Sequence, residues 1–181
     1  MKIIKINKKN QKGFSLIEMM VVVVILGLII LGLVTFFTGG AKSWVAGQSQ
    51  LTAQRNARQA IDRMAREIRE GENVKTGSDD DTIIVSIPAL GSEFAYDVTY
   101  DLSGNTIVRI KNTTSNPLIN NVLVTSGESI FKYYNSIGTE VTSPNSNASK
   151  IHINLKVDVD KDGKPDVILN TDVNLRNYGL Y

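Results

Sequence analysis

The sequence predicts an α+β fold: one long N-terminal helix, a transmembrane half followed by an amphipathic half, packed on an antiparallel β-sheet. Three observations predict it. The run from Met19 to Ala41 is apolar and uncharged. Apolar residues then recur at Ala57, Ile61, Met64 and Ile68, the spacing of one buried helix face. Beyond residue 74 the apolar period changes to two, the signature of strands. The expected organisation is a leader over 1–13, a membrane helix over 14–41, an amphipathic helix over 42–72 and a β-sheet domain over 73–181.

Length and charge bound the possibilities. A chain of 181 residues suggests one globular domain plus an N-terminal addition. There is no cysteine, so the chain has no disulfide framework, thiolate metal site or thiol nucleophile. The net charge is +2, but Lys2, Lys5, Lys8, Lys9 and Lys12 supply five positive charges before Gly13. Without these five the net charge of residues 14–181 is −3. The remaining acids and bases are interspersed, and no basic block points to nucleic acid.

The membrane reading rests on length. As a helix, the charge-free run extends roughly 35 Å, enough for a bilayer core of about 30 Å. The lysines precede it, which keeps the leader cytoplasmic and sends the C-terminal domain outward. Gly27 and Gly32 allow close approach of neighbouring helices. A secretory signal cut near Thr38-Gly39-Gly40-Ala41 is a competing reading, but its apolar core is usually about 7–15 residues. An unprocessed signal anchor is another. Neither accounts for Glu18, a carboxylate at the edge of the span.

A cut after Gly13 would give Glu18 a partner. The new amine of Phe14 lies one helical turn away, and a carboxylate there offsets the unfavourable meeting of an amine with the helix dipole. In a packed array the same carboxylate could meet a neighbour's amine. At about 4 Å and an effective dielectric near 20, that attraction is on the order of 4 kcal/mol before desolvation. Gly13-Phe14-Ser15-Leu16-Ile17-Glu18 resembles the cleavage and methylation motif of type IV prepilins and type II secretion pseudopilins. The resemblance implies cleavage between Gly13 and Phe14 by a prepilin peptidase and N-methylation of Phe14. It also implies Glu18 as the acid that sets subunit register during assembly. The partners it implies are other pilin or pseudopilin subunits, the peptidase, a membrane assembly platform and, before assembly, the lipid bilayer. The location it implies is the cytoplasmic membrane, then an extracellular or periplasmic filament.

The amphipathic helix is expected after a flexible-looking Thr38-Gly39-Gly40. Leu51 and Ala60 extend its apolar stripe, and Gly71 is the expected C-cap. Arg55, Arg58, Asp62, Arg63, Arg66 and Arg69 fall largely outside the stripe. They read as a solvated or subunit-facing surface rather than a phosphate site, because acids are interleaved and no Gly-rich loop accompanies them.

Strands are expected over Thr82–Ile87, Glu93–Leu102, Thr106–Lys111 and Ser129–Tyr134. Turns are expected at Ser103-Gly104-Asn105 and Asn135–Gly138. Asn112–Pro117 reads as a polar loop, Leu118–Val124 as an apolar segment and Ser143–Lys150 as a loop. Ile151, Ile153, Leu155, Val157 and Val159 alternate, as do Val167, Leu169, Val173 and Leu175, giving a last hairpin. Ile130–Gly138 and Val173–Asn177 resemble segments of minor subunits, which implies a minor pilin or J-type minor pseudopilin.

Between the last two strands, Asp158, Asp160, Asp162 and Asp166 follow the front half of an EF-hand-type calcium loop. Leu169 stands where the bidentate Glu would be. Two readings stay open: a Ca2+ site, or an ordinary hairpin turn at Asp162-Gly163. Catalysis finds little support. The single histidine, His152, alternates away from the apolar face of its strand, and the sequence has no G-x-S-x-G elbow, Walker motif or dinucleotide motif. The function expected is that of a structural subunit, not an enzyme. A membrane-anchored extracellular binding or enzymatic domain is the alternative.

Overall fold

The structure, a computed structural model, describes residues 13–89, 91–142 and 147–179. The leader residues 1–12 and part of the expected loop over 143–150 lie outside the described residues. The chain divides into two compact units, Met1–Ala46 and Gly47–Tyr181. Helix α1, Leu16–Arg69, runs through both as the one long helix expected and is unbroken at the flexible-looking Gly39-Gly40.

In the first unit the helix meets no other element. Every described residue from Gly13 to Ala46 is exposed. The polar groups inside the apolar run are satisfied locally. Thr35 Oγ1 donates to the carbonyl oxygens of Leu31 (3.1 Å) and Gly32 (2.9 Å), and Thr38 Oγ1 to Val34 (2.9 Å).

The second unit holds the core. Ala53, Ala57, Ala60, Ile61, Met64 and Ile68 of α1 are buried. Leu51, expected on this stripe, is 53% exposed. Six residues separate it from Ala57, which at 3.6 residues per turn puts it on another face, and Ala53 takes the core position. The helix packs on strands that form two antiparallel sheets rather than one. The first has the order β1 (Asn73–Val74), β2 (Thr82–Ile87), β3 (Tyr96–Ser103), β4 (Thr106–Lys111), β5 (Thr114–Ile119). The second has the order β6 (Phe131–Tyr134), β7 (Lys150–Val157), β8 (Val167–Asn174). Alternation does the sorting in β2 and β7: Ile83, Val85 and Ile87, then Ile151, Ile153, Leu155 and Val157, face one continuous core.

One expected loop is a strand. Thr114–Ile119 pairs with β4 through the two-residue turn Asn112-Thr113, with Asn112 at φ 55°. It reads as loop because it is polar, largely exposed and contains Pro117. It is the edge strand of its sheet, where proline is tolerated.

Between the sheets, the Leu123 amide donates to the Lys156 carbonyl and the Asp158 amide to the Asn121 carbonyl, both at 2.9 Å. The Tyr133 hydroxyl lies 2.8 Å from the Asp79 carbonyl oxygen.

The end of α1 is fixed by the chain terminus. The Arg176 amide donates to the Arg69 carbonyl (2.8 Å), and Asn177 Nδ2 donates to the Glu70 carbonyl (2.9 Å). These bonds satisfy carbonyls that a helix end leaves open. Gly71 is not a left-handed cap as expected, since it is absent from the positive-φ glycines. A Cβ there would sit 2.3 Å from Val85 Cγ1 and 3.2 Å from Leu175 Cδ2, so packing demands the glycine.

Glu67 joins helix to sheet. Its carboxylate accepts from Arg109 Nε at 2.7 Å, from Arg109 Nη2 and from the Tyr100 hydroxyl. Arg109 and Tyr100 lie opposite each other on β4 and β3, and the side chains of Arg109 and Glu67 are 10% and 14% exposed. Burial pushes the Glu67 pKa up, but the bonds from Arg109 and Tyr100 and the Arg109 charge outweigh it and hold the carboxyl below its ordinary value. Arg109→Met strands this carboxylate and is expected to cost about 3 kcal/mol. Because the folded pKa is depressed, the ionised group's contribution is present above its unfolded pKa, near 4.3, and lost as pH falls through the folded value. The stability gap between wild type and Glu67→Gln, followed by urea unfolding, should therefore be widest near neutral pH and close below about pH 4. A gap that does not change with pH would exclude this carboxylate as the source.

Candidate functional site

The candidate site lies where the apolar helix begins. Gly13, Phe14 and Ser15 precede α1, and the first i to i−4 bond runs from the Met19 amide to the Ser15 carbonyl at 3.2 Å. Ser15 is thus the N-cap and Glu18 the third helical residue. The Ser15 amide donates to Glu18 Oε2 at 3.3 Å. This is the carboxylate half of a capping box. The S-x-x-E spacing of Ser15-Leu16-Ile17-Glu18 carries that signal, and the sequence reading passed over it in favour of the Phe14 amine. That amine does not exist until the Gly13–Phe14 bond is cut. In the uncut chain Glu18 closes the helix start instead.

Gly13 and Phe14 are both exposed, Phe14 by 79%. A Cβ on Gly13 would meet no atom of the described residues within 4 Å. Packing among the described residues does not require glycine there. The same space surrounds Gly27 and Gly32, where a Cβ again meets nothing within 4 Å. Helix α1 is long and apolar enough to cross a membrane, and its apolar window is unburied. Lys42 and Trp44, both exposed, follow the run.

The acidic loop is the second place singled out by sequence. It is the nine-residue β7–β8 connection, closed by the Val157–Val167 pair. Carboxylate oxygens of Asp158, Asp160 and Asp166 lie within 4.8 Å of one another. Asp162 is not in that group, and its Oδ1 accepts from the Lys164 amide at 2.8 Å. Asp158 is 7% exposed, and both its oxygens are engaged: Oδ1 by the Lys161 amide (2.7 Å) and Oδ2 by the Gly163 amide (2.9 Å). Asp166 Oδ2 accepts from the Val159 amide at 2.7 Å. At Asp160 the Asp162 amide pulls the pKa down, but desolvation and the carboxylates of Asp162 and Asp166 outweigh it, and the pKa is raised. The loop is therefore braced by its own amides and strained by its own charges. Lys161 (φ 61°) and Gly163 (φ 84°) supply the left-handed turns it needs.

His152 lies on the face of β7 opposite Ile151 and Ile153, as its alternation implies, with Nδ1 2.7 Å from Asp172 Oδ1. A groove of about 650 Å³ in the second unit runs beside α1 past Thr52, Asn56 and Gln59 to Asn120 and Asn121. Its lining has amides and one guanidinium but no carboxylate or imidazole. That chemistry suits polar contact rather than proton transfer.

No curated protein matches the chain. Residues 8–34 match the family model of the prokaryotic N-terminal methylation motif. The matched segment contains the exposed Gly13–Phe14 bond, the Ser15 cap, Glu18 and the start of the apolar helix. The motif supports a prepilin peptidase substrate and suggests a structural protein. The chain thus carries a prepilin-type N-terminus, of the kind found in type IV pilins and pseudopilins, joined to an α+β domain of pilin-like architecture.

Proposed function

We propose that this chain is a minor structural subunit of a type IV pilus-like or type II secretion pseudopilus filament. The observation that carries the reading is the coincidence of the methylation motif with an exposed Gly13–Phe14 bond at the head of an unburied apolar helix. The lysine-rich leader holds the N-terminus in the cytoplasm, and the β domain stands outside. The peptidase cuts after Gly13 and methylates Phe14. An assembly platform then lifts the helix from the bilayer, and its apolar surface, with gaps at Gly27 and Gly32, packs against other subunits. Cleavage also changes the chemistry of Glu18. A free ammonium at Phe14, on its own chain or a neighbour's, offers a charge-assisted bond stronger than the long contact with the Ser15 amide. The likeness of Ile130–Gly138 and Val173–Asn177 to minor-subunit segments supports the minor role.

Intact mass of protein from its own host is expected to correspond to a chain beginning at Phe14 with one added methyl group. Filament-associated protein that keeps Met1–Gly13 would overturn the reading. Glu18→Ala is expected to insert into membranes as wild type does, since it makes the span more apolar. It should enter filaments about tenfold less, because a buried ammonium is left alone. Unchanged incorporation, scored by immunoblot of sheared filaments, would make the pair dispensable.

A second reading concerns the β7–β8 loop, where convergence of Asp158, Asp160 and Asp166 favours a weak calcium site over a plain turn. The cation would relieve the mutual repulsion of these acids, with water or backbone carbonyls completing its shell. Millimolar calcium should raise the unfolding midpoint of the detergent-solubilised chain by about 4 °C over chelator. No shift, or an equal shift in Asp160→Ala, would leave the loop a hairpin connection.

A further inference from the structure

The solvent face of α1 carries Arg55, Arg58, Arg63, Arg66 and Arg69, all exposed and turned away from the buried Ala57, Met64 and Ile68. Each ion pair among the described residues uses a lysine, His152 or Arg109. Among the described residues, none of the five helix arginines forms an ion pair. Glu67 is drawn inward to Arg109, which leaves Asp62 and the half-buried Glu70 as the acids interleaved on this face. Between Gly47 and Glu72 every basic residue is arginine, whereas the β domain uses lysine at most of its basic positions. Arginine is the residue suited to planar, two-pronged pairing with carboxylates.

An acidic counterpart lies on other elements. Asp79 and Asp80 are exposed in the β1–β2 loop, and Asp81 and Asp101 are half-buried beside them. None has a cation within ion-pair distance among the described residues. One oxygen of Asp81, Oδ1, is buried without a hydrogen-bond partner. Burial and the charges of Asp79, Asp80 and Asp101 raise the Asp81 pKa. Asp80 also has a structural part: its carbonyl accepts from the amides of Ile130 and Phe131, both at 2.9 Å, while its side chain is left to solvent.

We propose that the arginine face of α1 in one copy docks against the Asp79–Asp81 and Asp101 cluster of a second copy. The proposal rests on the filament-subunit reading and names a contact within it. Both halves of the charge pattern belong to the same chain, and among the described residues neither forms an ion pair. A nucleic-acid backbone would meet the arginines but be repelled by the β domain, whose acids outnumber its bases over residues 73–181. The two patches are different surfaces, so the contact is heterologous. In a docked pair the first copy keeps its acidic face free and the second its arginine face, so the contact does not exhaust itself in a closed pair.

The chain has no cysteine, so introduced pairs report without background. Full-length copies bearing Gln59→Cys, beside the arginines, and Thr76→Cys, beside the acids, are co-expressed in membranes and oxidised. The mixed 59–76 disulfide is expected to exceed the 59–59 and 76–76 products by about tenfold. Arg66→Glu on the first copy should reduce the mixed product about tenfold, and Asp80→Lys on the second should restore it. Thermal midpoints should match those of the parent copies. Salt tests the unaltered charges: from about 0.1 M to about 1 M the Debye length falls from about 10 Å to about 3 Å, and crosslinking should fall with it. Equal self-crosslinks, indifference to salt, or failure of Asp80→Lys to rescue would overturn the proposal. So would loss of the product on nuclease treatment, which would give the arginines to a nucleic acid. Intact mass on the same sample separates the two levels. A processed chain without the mixed product overturns this contact alone, while an unprocessed chain without it overturns the subunit reading as well.

Discussion

The fold turns on one buried ion pair that ties the polar flank of a core-packed helix to a sheet. Glu67 receives the two-pronged guanidinium of Arg109 and the hydroxyl of Tyr100 in a site that excludes most water. A carboxylate there without its partners would be expensive, and the partners come from adjacent strands of one sheet. The interaction therefore selects the helix rotation that buries Ala57, Ile61, Met64 and Ile68. The C-terminal segment adds a second constraint at the same end of the helix, since Arg176 and Asn177 satisfy carbonyls of Arg69 and Glu70. Sheet, helix and chain terminus are thereby tied together around Gly71, where Val85 and Leu175 leave no room for a side chain.

With that end fixed, the two halves of α1 meet different demands. The second half has one face in the core and one in solvent, and its polar face is rich in arginine. The first half is apolar all round and buries none of that surface among the described residues. Such a surface is stable only in lipid or against other helices. The N-terminal motif lies at the boundary between this surface and the basic leader. In the uncut chain the Glu18 carboxylate is occupied by the cap of its own helix. The charge that a mature N-terminus would meet is thus already in place at the third helical residue.

Charge is distributed unevenly over the second unit. Lysines of the β domain pair with nearby acids across strands and turns, as Lys75 does with Asp97 and Lys156 with Glu128. Such exposed pairs contribute little to stability but leave those surfaces locally neutral. The helix arginines and the Asp79–Asp81 cluster stand outside this pattern. The β7–β8 loop is a third case: its acids are held by backbone amides, which orient the carboxylates without neutralising them.

The sequence by itself determined the elements whose signal is local. The motif at Gly13–Glu18, the apolar run, the period of the helix stripe and the alternation in Thr82–Ile87, Thr106–Lys111 and the last hairpin are all properties of neighbouring residues, and they survive folding. What depended on distant partners was settled only in three dimensions. Thr114–Ile119 is a strand because β4 lies beside it, although its own residues read as loop. Gly71 is explained by Val85 and Leu175, which are remote in sequence. Arg109 occupies a core position that its alternation with Ile107 marks but its charge disguises, and Glu67 looks like one more surface acid until Arg109 and Tyr100 are brought to it. Leu51 shows the reverse, an apolar residue whose hydrophobicity invited a core place that helix geometry denies it. Local periodicity names the elements, but a buried charge is paired only where the tertiary fold delivers its counterion, and no spacing along the chain encodes that meeting.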